Sequence, residues 1–169
     1  MLPSILDFEA SGFGPDSYPI EVGFVLSSGE RYCRLIQPFD DWQFWREDAE
    51  RLHGISRDTL ITSGIPAAQV CEELNTKLSG LTLYSDAWVY DDPWLKRLFH
   101  CAQVTLQFQL RAIEHIQSEC QNTIWDETRR SLLASAPPSE RHRASADAEF
   151  IQRVYAQTRT LCDSSTLTR

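Results

Sequence analysis

Residues 4–12 read Ser4-Ile5-Leu6-Asp7-Phe8-Glu9-Ala10-Ser11-Gly12. This stretch continues the apolar, strand-like run Leu2 to Phe8 and breaks it with two carboxylates. Side chains alternate across a strand with period two, so Asp7 and Glu9 project from one face while Leu6 and Phe8 project from the other. Residues i and i+2 stand ~6.5 Å apart along a strand. Two like charges at that spacing beside a core are costly unless a cation or hydrogen bonds compensate. The alternative is a solvent-facing strand end that leads into the loop Ser11-Gly12-Phe13-Gly14, since exposed Asp and Glu are common.

Working outward, Ile20 to Leu26 is a second apolar run, followed by the turn Ser27-Ser28-Gly29-Glu30, and Arg31 to Gln37 is a third that stops at Pro38. These read as three strands joined partly as a hairpin. Helical patterning begins at Ala67 to Leu78, with Val70, Leu74 and Leu78 at four-residue spacing and Gly80 as a stop. Leu81 to Tyr84 suits a buried strand, and Pro93 opens a helix carrying Trp94, Leu95, Leu98 and Phe99. Val104 to Phe108 alternates like a strand. Two helical stretches follow, Leu110 to Cys120 and Ile124 to Ala134, then the break Pro137-Pro138-Ser139 and a last helix from Ala144 to Leu161. Three strands followed by alternating helices and strands predict an α/β fold with a mixed central sheet flanked by helices. The pattern gives one domain over 1–161 and a polar tail over 162–169 that frays.

Composition narrows the function. The 169 residues carry 16 Lys plus Arg against 24 Asp plus Glu, a formal charge of −8, which argues against a nonspecific polycation for nucleic acid or membrane. A hydrophobic fraction of 42% with 24% charged residues is ordinary globular composition, and a chain of this length buries roughly 70% of its unfolded surface. No apolar run approaches the ~20 residues of a transmembrane helix, and the N-terminus lacks the basic region of a signal peptide. Five Cys (33, 71, 101, 120, 162) form no C-x-x-C pair and read as free thiols in a reducing, cytoplasmic setting.

Most acidic residues should be solvated, but two more face the wrong way. Asp91 has Trp94, Leu95, Leu98 and Phe99 at i+3, i+4, i+7 and i+8, which puts it on a buried helix face; the competing role is an N-cap ahead of Pro93. Its neighbour Asp92 has Lys96 at i+4 and reads as an exposed ion pair. Asp147 has Ile151 and Val154 at i+4 and i+7, and His142 stands five residues before it. Helix capping for Asp147 and a surface imidazole for His142 are the alternatives. Oxygen ligands without Cys or paired His select hard divalent cations, Mg²⁺ or Mn²⁺. Two such ions roughly 3.5–4 Å apart are the clamp used in phosphodiester cleavage, and a histidine nearby can take the proton from the attacking water. Two divalent cations would also offset about four of the excess negative charges.

The order Asp7-x-Glu9, Asp91, His142-x4-Asp147 resembles the DEDDh (DnaQ-like) group of 3′-to-5′ exonucleases in the ribonuclease H-like superfamily, over roughly 4–155. Leu6-Asp7-Phe8-Glu9-Ala10-Ser11-Gly12 is similar to the family's first motif, Tyr90-Asp91-Asp92-Pro93-Trp94-Leu95 to its second and His142-Arg143-Ala144-Ser145-Ala146-Asp147-Ala148 to its third. Pro19-Ile20-Glu21-Val22-Gly23 and His53-Gly54-Ile55 match stretches the family often shows between the first two. The resemblance implies a ribonuclease H-like fold and a site for two divalent metal ions. In it Asp7 would bridge both, Glu9 and Asp147 would hold the ion that carries the attacking water, Asp91 would serve the second ion and His142 would be the general base. It implies further that Ala10, Ser11, Gly12 and His53 lie against the 3′-terminal nucleotide, and that dimers occur in parts of the family, with the helices from Leu110 to Ala134 as the interface. Two positions differ from the family pattern: Asp86-Ala87 stands where a His-Asn pair is common, and Ala10 where Thr is usual.

The expected function is therefore metal-dependent removal of nucleoside monophosphates from the 3′ ends of single-stranded DNA or RNA. A catalytically weak module that binds nucleic-acid ends is the alternative, and a purely structural domain the third. Phe13, Trp88 and Tyr90 are candidates to stack on bases, a contact worth ~1–3 kcal/mol per base when it forms, but Tyr90 is expected in the core instead. Trp42, Trp45 and Trp125 read as packing residues.

Overall fold

The chain is described by a computed structural model over residues 1–135 and 143–166, with side chains through 164. His142 and the Pro137-Pro138 break lie outside the described residues. The first three apolar runs form β1 (Ile5–Ala10), β2 (Pro19–Val25) and β3 (Arg31–Gln37). Strand β2 pairs antiparallel with both β1 and β3. Then come α1 (Glu47–His53), α2 (Arg57–Ser63), the two-residue β4 (Ile65–Pro66), α3 (Ala67–Leu78), β5 (Thr82–Ser85) and α4 (Trp88–Cys101). The chain ends with β6 (Gln109–Ala112), a 3-10 turn at Ile113–His115, α5 (Glu119–Ser135) and α6 (Ala144–Thr166). The sheet has six strands in the order β4-β3-β2-β1-β5-β6. Because β5 lies parallel to β1 and β6 parallel to β5, the sheet is mixed, as the alternation of elements predicts.

The alternation read in residues 4–12 sorts the two faces of the sheet. Leu6 and Phe8 join Val22, Phe24, Leu74, Leu95 and Leu98 in a large core on one face. Ile5 and Val25 pack on the other with Ala148, Ile151 and Tyr155 of α6. Every residue of β2 is buried because helices cover both of its faces. Asp7 and Glu9 share the parity of Ile5, so they point to the face that α6 covers. The β1–β2 ladder shifts register between Glu9 and Ala10, so regular pairing ends where the carboxylates end.

Several expectations require correction. Val104 to Phe108 is not a strand: its alternation reflects apolar side chains dropping into the core from a loop, whose Thr105 carbonyl and Gln107 amide are bound by the Asn75 side chain. Leu110 to Cys120 is not a helix either. Its start is the edge strand β6, while the second expected helix, Ile124 to Ala134, lies within the 17-residue α5. Helix α4 starts at Trp88 rather than Pro93, so Asp91 lies inside its first turn and is not the N-cap. The amide that Pro93 lacks would have bonded the carbonyl of Val89, an exposed residue whose carbonyl water can serve. The last helix continues to Thr166, past the expected end at Leu161. Cys120 and Cys162 form a disulfide, against the expectation of five free thiols, while Cys33, Cys71 and Cys101 are free. Cys162 therefore belongs to the folded helix, not to a fraying tail. The thiol argument for a reducing compartment falls with it. Among the described residues no helix is long and apolar enough to cross a membrane.

Candidate metal centre

Strand β1 brings Asp7 and Glu9 to one face, and the first turn of α6 brings Asp147 over them. One ligand atom from each of the three lies within 4.8 Å of the others, the spacing of donors around a single cation. Asp91 approaches from α4 and is 1% exposed. Ser85, at the end of β5, donates a short hydrogen bond to Asp91 Oδ2 and accepts one from the Ala87 amide at 2.9 Å. That chain of contacts ties α4 to the strand end and aims the carboxylate inward. Asp91 Oδ1 is buried and makes no well-formed hydrogen bond, although the Phe8 amide of β1 also acts on the carboxylate. A buried carboxylate oxygen so poorly satisfied calls for an explanation, and an ion is one.

The electrostatics agree with a site built for positive charge. Burial, and after it the charges of Asp91, Glu9, Asp147 and Asp86, push the Asp7 carboxyl well above its usual range. Glu9 is pushed up to about 8, first by burial and then by Asp147 and Glu21. Asp91 is raised by burial, against the opposing hydrogen bond from Ser85. These carboxyl groups thus resist ionising together, and a cation bound among them removes the cause. Asp86, one of the two residues standing where His-Asn is common, adds its own charge to Asp7 and Asp91. It lies 3.7 Å from Arg129 Nε of α5, its side chain 15% exposed.

Ala10 ends β1 and is buried, and Ser11 is fully buried. Ser11 Oγ accepts from the Tyr18 amide at 3.1 Å, so its hydroxyl braces the loop. A Cβ on Gly12 would stand 2.8 Å from both Phe44 and Arg46 side chains, which explains a glycine there. His53 is buried, its Nδ1 accepting from the Ile55 amide at 3.1 Å and its ring edge-on to Trp45. Tyr90 is not in the core: it is 53% exposed and stacks on Trp94 with centroids 6.0 Å apart. Phe13 is also exposed, Trp42 is fully buried, and Trp45 and Trp125 pack at the edges of the two cores. Asp92 meets Lys96 at 2.6 Å as an exposed ion pair.

Sequence reasoning missed Glu21. It is fully buried in the middle of β2, opposite Glu9 in the ladder, and its partners are Arg143 and the Ala144 amide. A charged residue inside the otherwise apolar run Ile20 to Leu26 was the available signal.

No protein-family model and no curated protein matches the chain. Solved structures do, and they define the fold as ribonuclease H-like, of the kind seen in exonucleases. Escherichia coli Exonuclease I in complex with a dA16 oligonucleotide superposes with a TM-score of 0.66 at 15% identity, over 93% of this chain and 41% of that one. The zinc-bound form of the E. coli Exonuclease I–ssDNA complex gives 0.66 at 14%, over 93% and 41%. The moderately thermophilic Exonuclease I of Methylocaldum szegediense gives 0.62 at 14%, over 89% and 38%. This chain therefore spans about two fifths of the length of those proteins.

Proposed function

We propose that the chain is a divalent-metal-dependent 3′-to-5′ exonuclease acting on single-stranded nucleic acid and releasing nucleoside monophosphates. The observation that carries the reading is the convergence of Asp7, Glu9 and Asp147 within 4.8 Å, with Asp91 Oδ1, buried and without a well-formed hydrogen bond, on a carboxylate whose charge reaches Asp7. Hard oxygen donors suit Mg²⁺ or Mn²⁺, and two ions held by this set fit the family pattern that the motifs resemble. Bound there, divalent cations supply Lewis-acid stabilisation of the phosphoryl oxygens and a lowered pKa for the attacking water.

The chain's own residues do the rest. Asp7, Glu9 and Asp147 hold the cationic centre against the sheet, and Asp91, steadied by Ser85, completes the donor set from α4. His142, the residue before Arg143, is assigned as the base that accepts the proton of the attacking water. Exposed Phe13 and Tyr90, next to the first and second motifs, offer faces on which terminal bases stack. The likeness in fold to Exonuclease I in its complexes with single-stranded DNA supports a single strand as substrate.

Replacing Asp7 or Glu9 by Ala removes an oxygen donor from the centre. Monophosphate release from a labelled oligonucleotide in Mn²⁺ is expected to fall by at least about 10³-fold in either variant, by the scale of losses at catalytic groups. Full activity in both contradicts the site. A second reading, an end-binding module without turnover, draws on Asp86, whose extra negative charge crowds the centre. It predicts retained oligonucleotide binding with no product at saturating Mn²⁺.

A further inference from the structure

Two residues of β2 face the start of α6, and neither belongs to the proposed donor set. Glu21, paired in the ladder with Glu9, is fully buried, and both of its oxygens are engaged. Arg143 Nε donates to Oε1 at 2.8 Å and to Oε2 at 3.1 Å, and Nη2 donates to Oε1 at 2.6 Å. The Ala144 amide, the first of α6, donates to Oε2 at 2.9 Å. A carboxylate this buried on a central strand is costly unless paired and hydrogen-bonded, and here both conditions are met by one short segment 122 residues away in sequence. Gly23, opposite Asp7, supplies the second half of the contact. A Cβ there would stand 2.1 Å from the Ser145 amide nitrogen and 2.4 Å from the Ala144 carbonyl carbon, so only glycine lets the backbone of α6 touch the strand.

We infer that Glu21 and Gly23 form a seat on β2 that fixes the first turn of α6, and that Glu21 is a positioning residue setting Asp147 against Asp7 and Glu9. The register makes this direct. The two seat residues lie one strand over from the two β1 carboxylates, and Asp147 follows the clamped Arg143–Ala144 pair by a single helical turn. Glu21 holds no atom of substrate or ion itself. It acts through the helix start, at the charged end where Oε2 also satisfies an orphan amide and the helix dipole favours a carboxylate. The inference rests on the metal-centre reading for its consequence, and on the hydrogen bonds alone for the seat.

The test uses the whole chain with Mn²⁺ as the probe, comparing wild type with Glu21→Gln, Arg143→Ala and Gly23→Ala. Two readouts are taken well below each variant's Tm: Mn²⁺ affinity by calorimetry, and amide exchange along α6. Glu21→Gln keeps the shape and one acceptor, so it guards against variants that do not fold. Exchange at Ala144 to Ala148 is expected to quicken at least about tenfold while Ile151 to Thr158 stays protected. Mn²⁺ binding is expected to weaken roughly 10–100-fold, the scale seen when a residue that orients a ligand is lost. Unchanged exchange in the first turn, or exchange that rises evenly along the helix, overturns the seat. Unchanged Mn²⁺ affinity with a loosened first turn overturns the positioning role. Should wild type bind no Mn²⁺, the proposed function falls, and the exchange comparison by itself then decides the seat.

Discussion

Asp91 and Asp92 are neighbours in sequence, yet Asp91 is 1% exposed against the Ser85 hydroxyl while Asp92 reaches out to Lys96 at 2.6 Å. Helical periodicity alone separates them, because the apolar stripe Trp94, Leu95, Leu98, Phe99 fixes which side of the helix is wet. Asp147 is legible for the same reason, and Asp7 and Glu9 because they break an apolar strand run with two charges on one face. Glu21, which is fully buried as well, shows in the sequence only as a charge inside an apolar run; its pairing with Arg143, more than a hundred residues away, is what no local spacing reports. Tyr90 is exposed against expectation because nearness to a buried aspartate does not fix the direction of the preceding side chain on a helix. A kinetic consequence attaches to a single side chain. If His142 accepts the proton, the rate falls in acid because a protonated imidazole cannot take it, and His142→Ala flattens that limb. A pH–rate profile that keeps its shape in the variant assigns the base elsewhere.

Among elements, those with strong patterns were legible and those held by tertiary contacts were not. Helix α3 has the bounds that its four-residue spacing predicts. Helices α1 and α2 carry few buried residues, Ala49 and His53 in one and Leu60 in the other, and so leave too narrow a stripe to read. Strand β6 is four residues long and parallel to β5; short apolar pieces of that kind are ambiguous between strand and helix without knowledge of the neighbour. The α5–α6 pair is further fixed by the Cys120–Cys162 disulfide across 42 residues of sequence, invisible to spacing rules because no C-x-x-C pair marks it. Closing a loop of that length stabilises a fold by roughly 2–4 kcal/mol, which corresponds to about 5–15 °C in Tm for a chain of this size. Cys120→Ser is expected to lower Tm by that amount while Mn²⁺ affinity stays within about twofold, since about 15 residues of helix, roughly 22 Å, separate Cys162 from Asp147. A Tm unchanged by the substitution, or reduction that abolishes metal binding, contradicts this division of labour.

For the whole molecule, acidic residues outnumber basic ones to give a net charge of −8, and the carboxylates of Asp7, Glu9 and Asp147 gather against the mixed sheet where ionising together is least comfortable. The linkage sign follows from Glu9, raised to about 8 from an ordinary 4.5. Between those values the folded protein holds more protons than the unfolded one, so stability falls as pH rises through that window. In EDTA, Tm is expected to drop by on the order of 5–10 °C between about pH 5 and 8. Mn²⁺ should restore more of it at the alkaline end of that window than at the acid end, because the cation binds the deprotonated cluster. A Tm that climbs with pH in EDTA, or a Mn²⁺ effect largest in acid, would falsify the charged-cluster reading. The most direct measurement of the proposed activity is a time course on 5′-labelled single-stranded DNA and RNA of one sequence, with Mg²⁺, Mn²⁺ or EDTA. The expected result is a ladder that shortens one nucleotide at a time from the 3′ end with either metal and vanishes in EDTA. Intact strands in both metals, or a ladder indifferent to EDTA, would contradict a metal-dependent exonuclease.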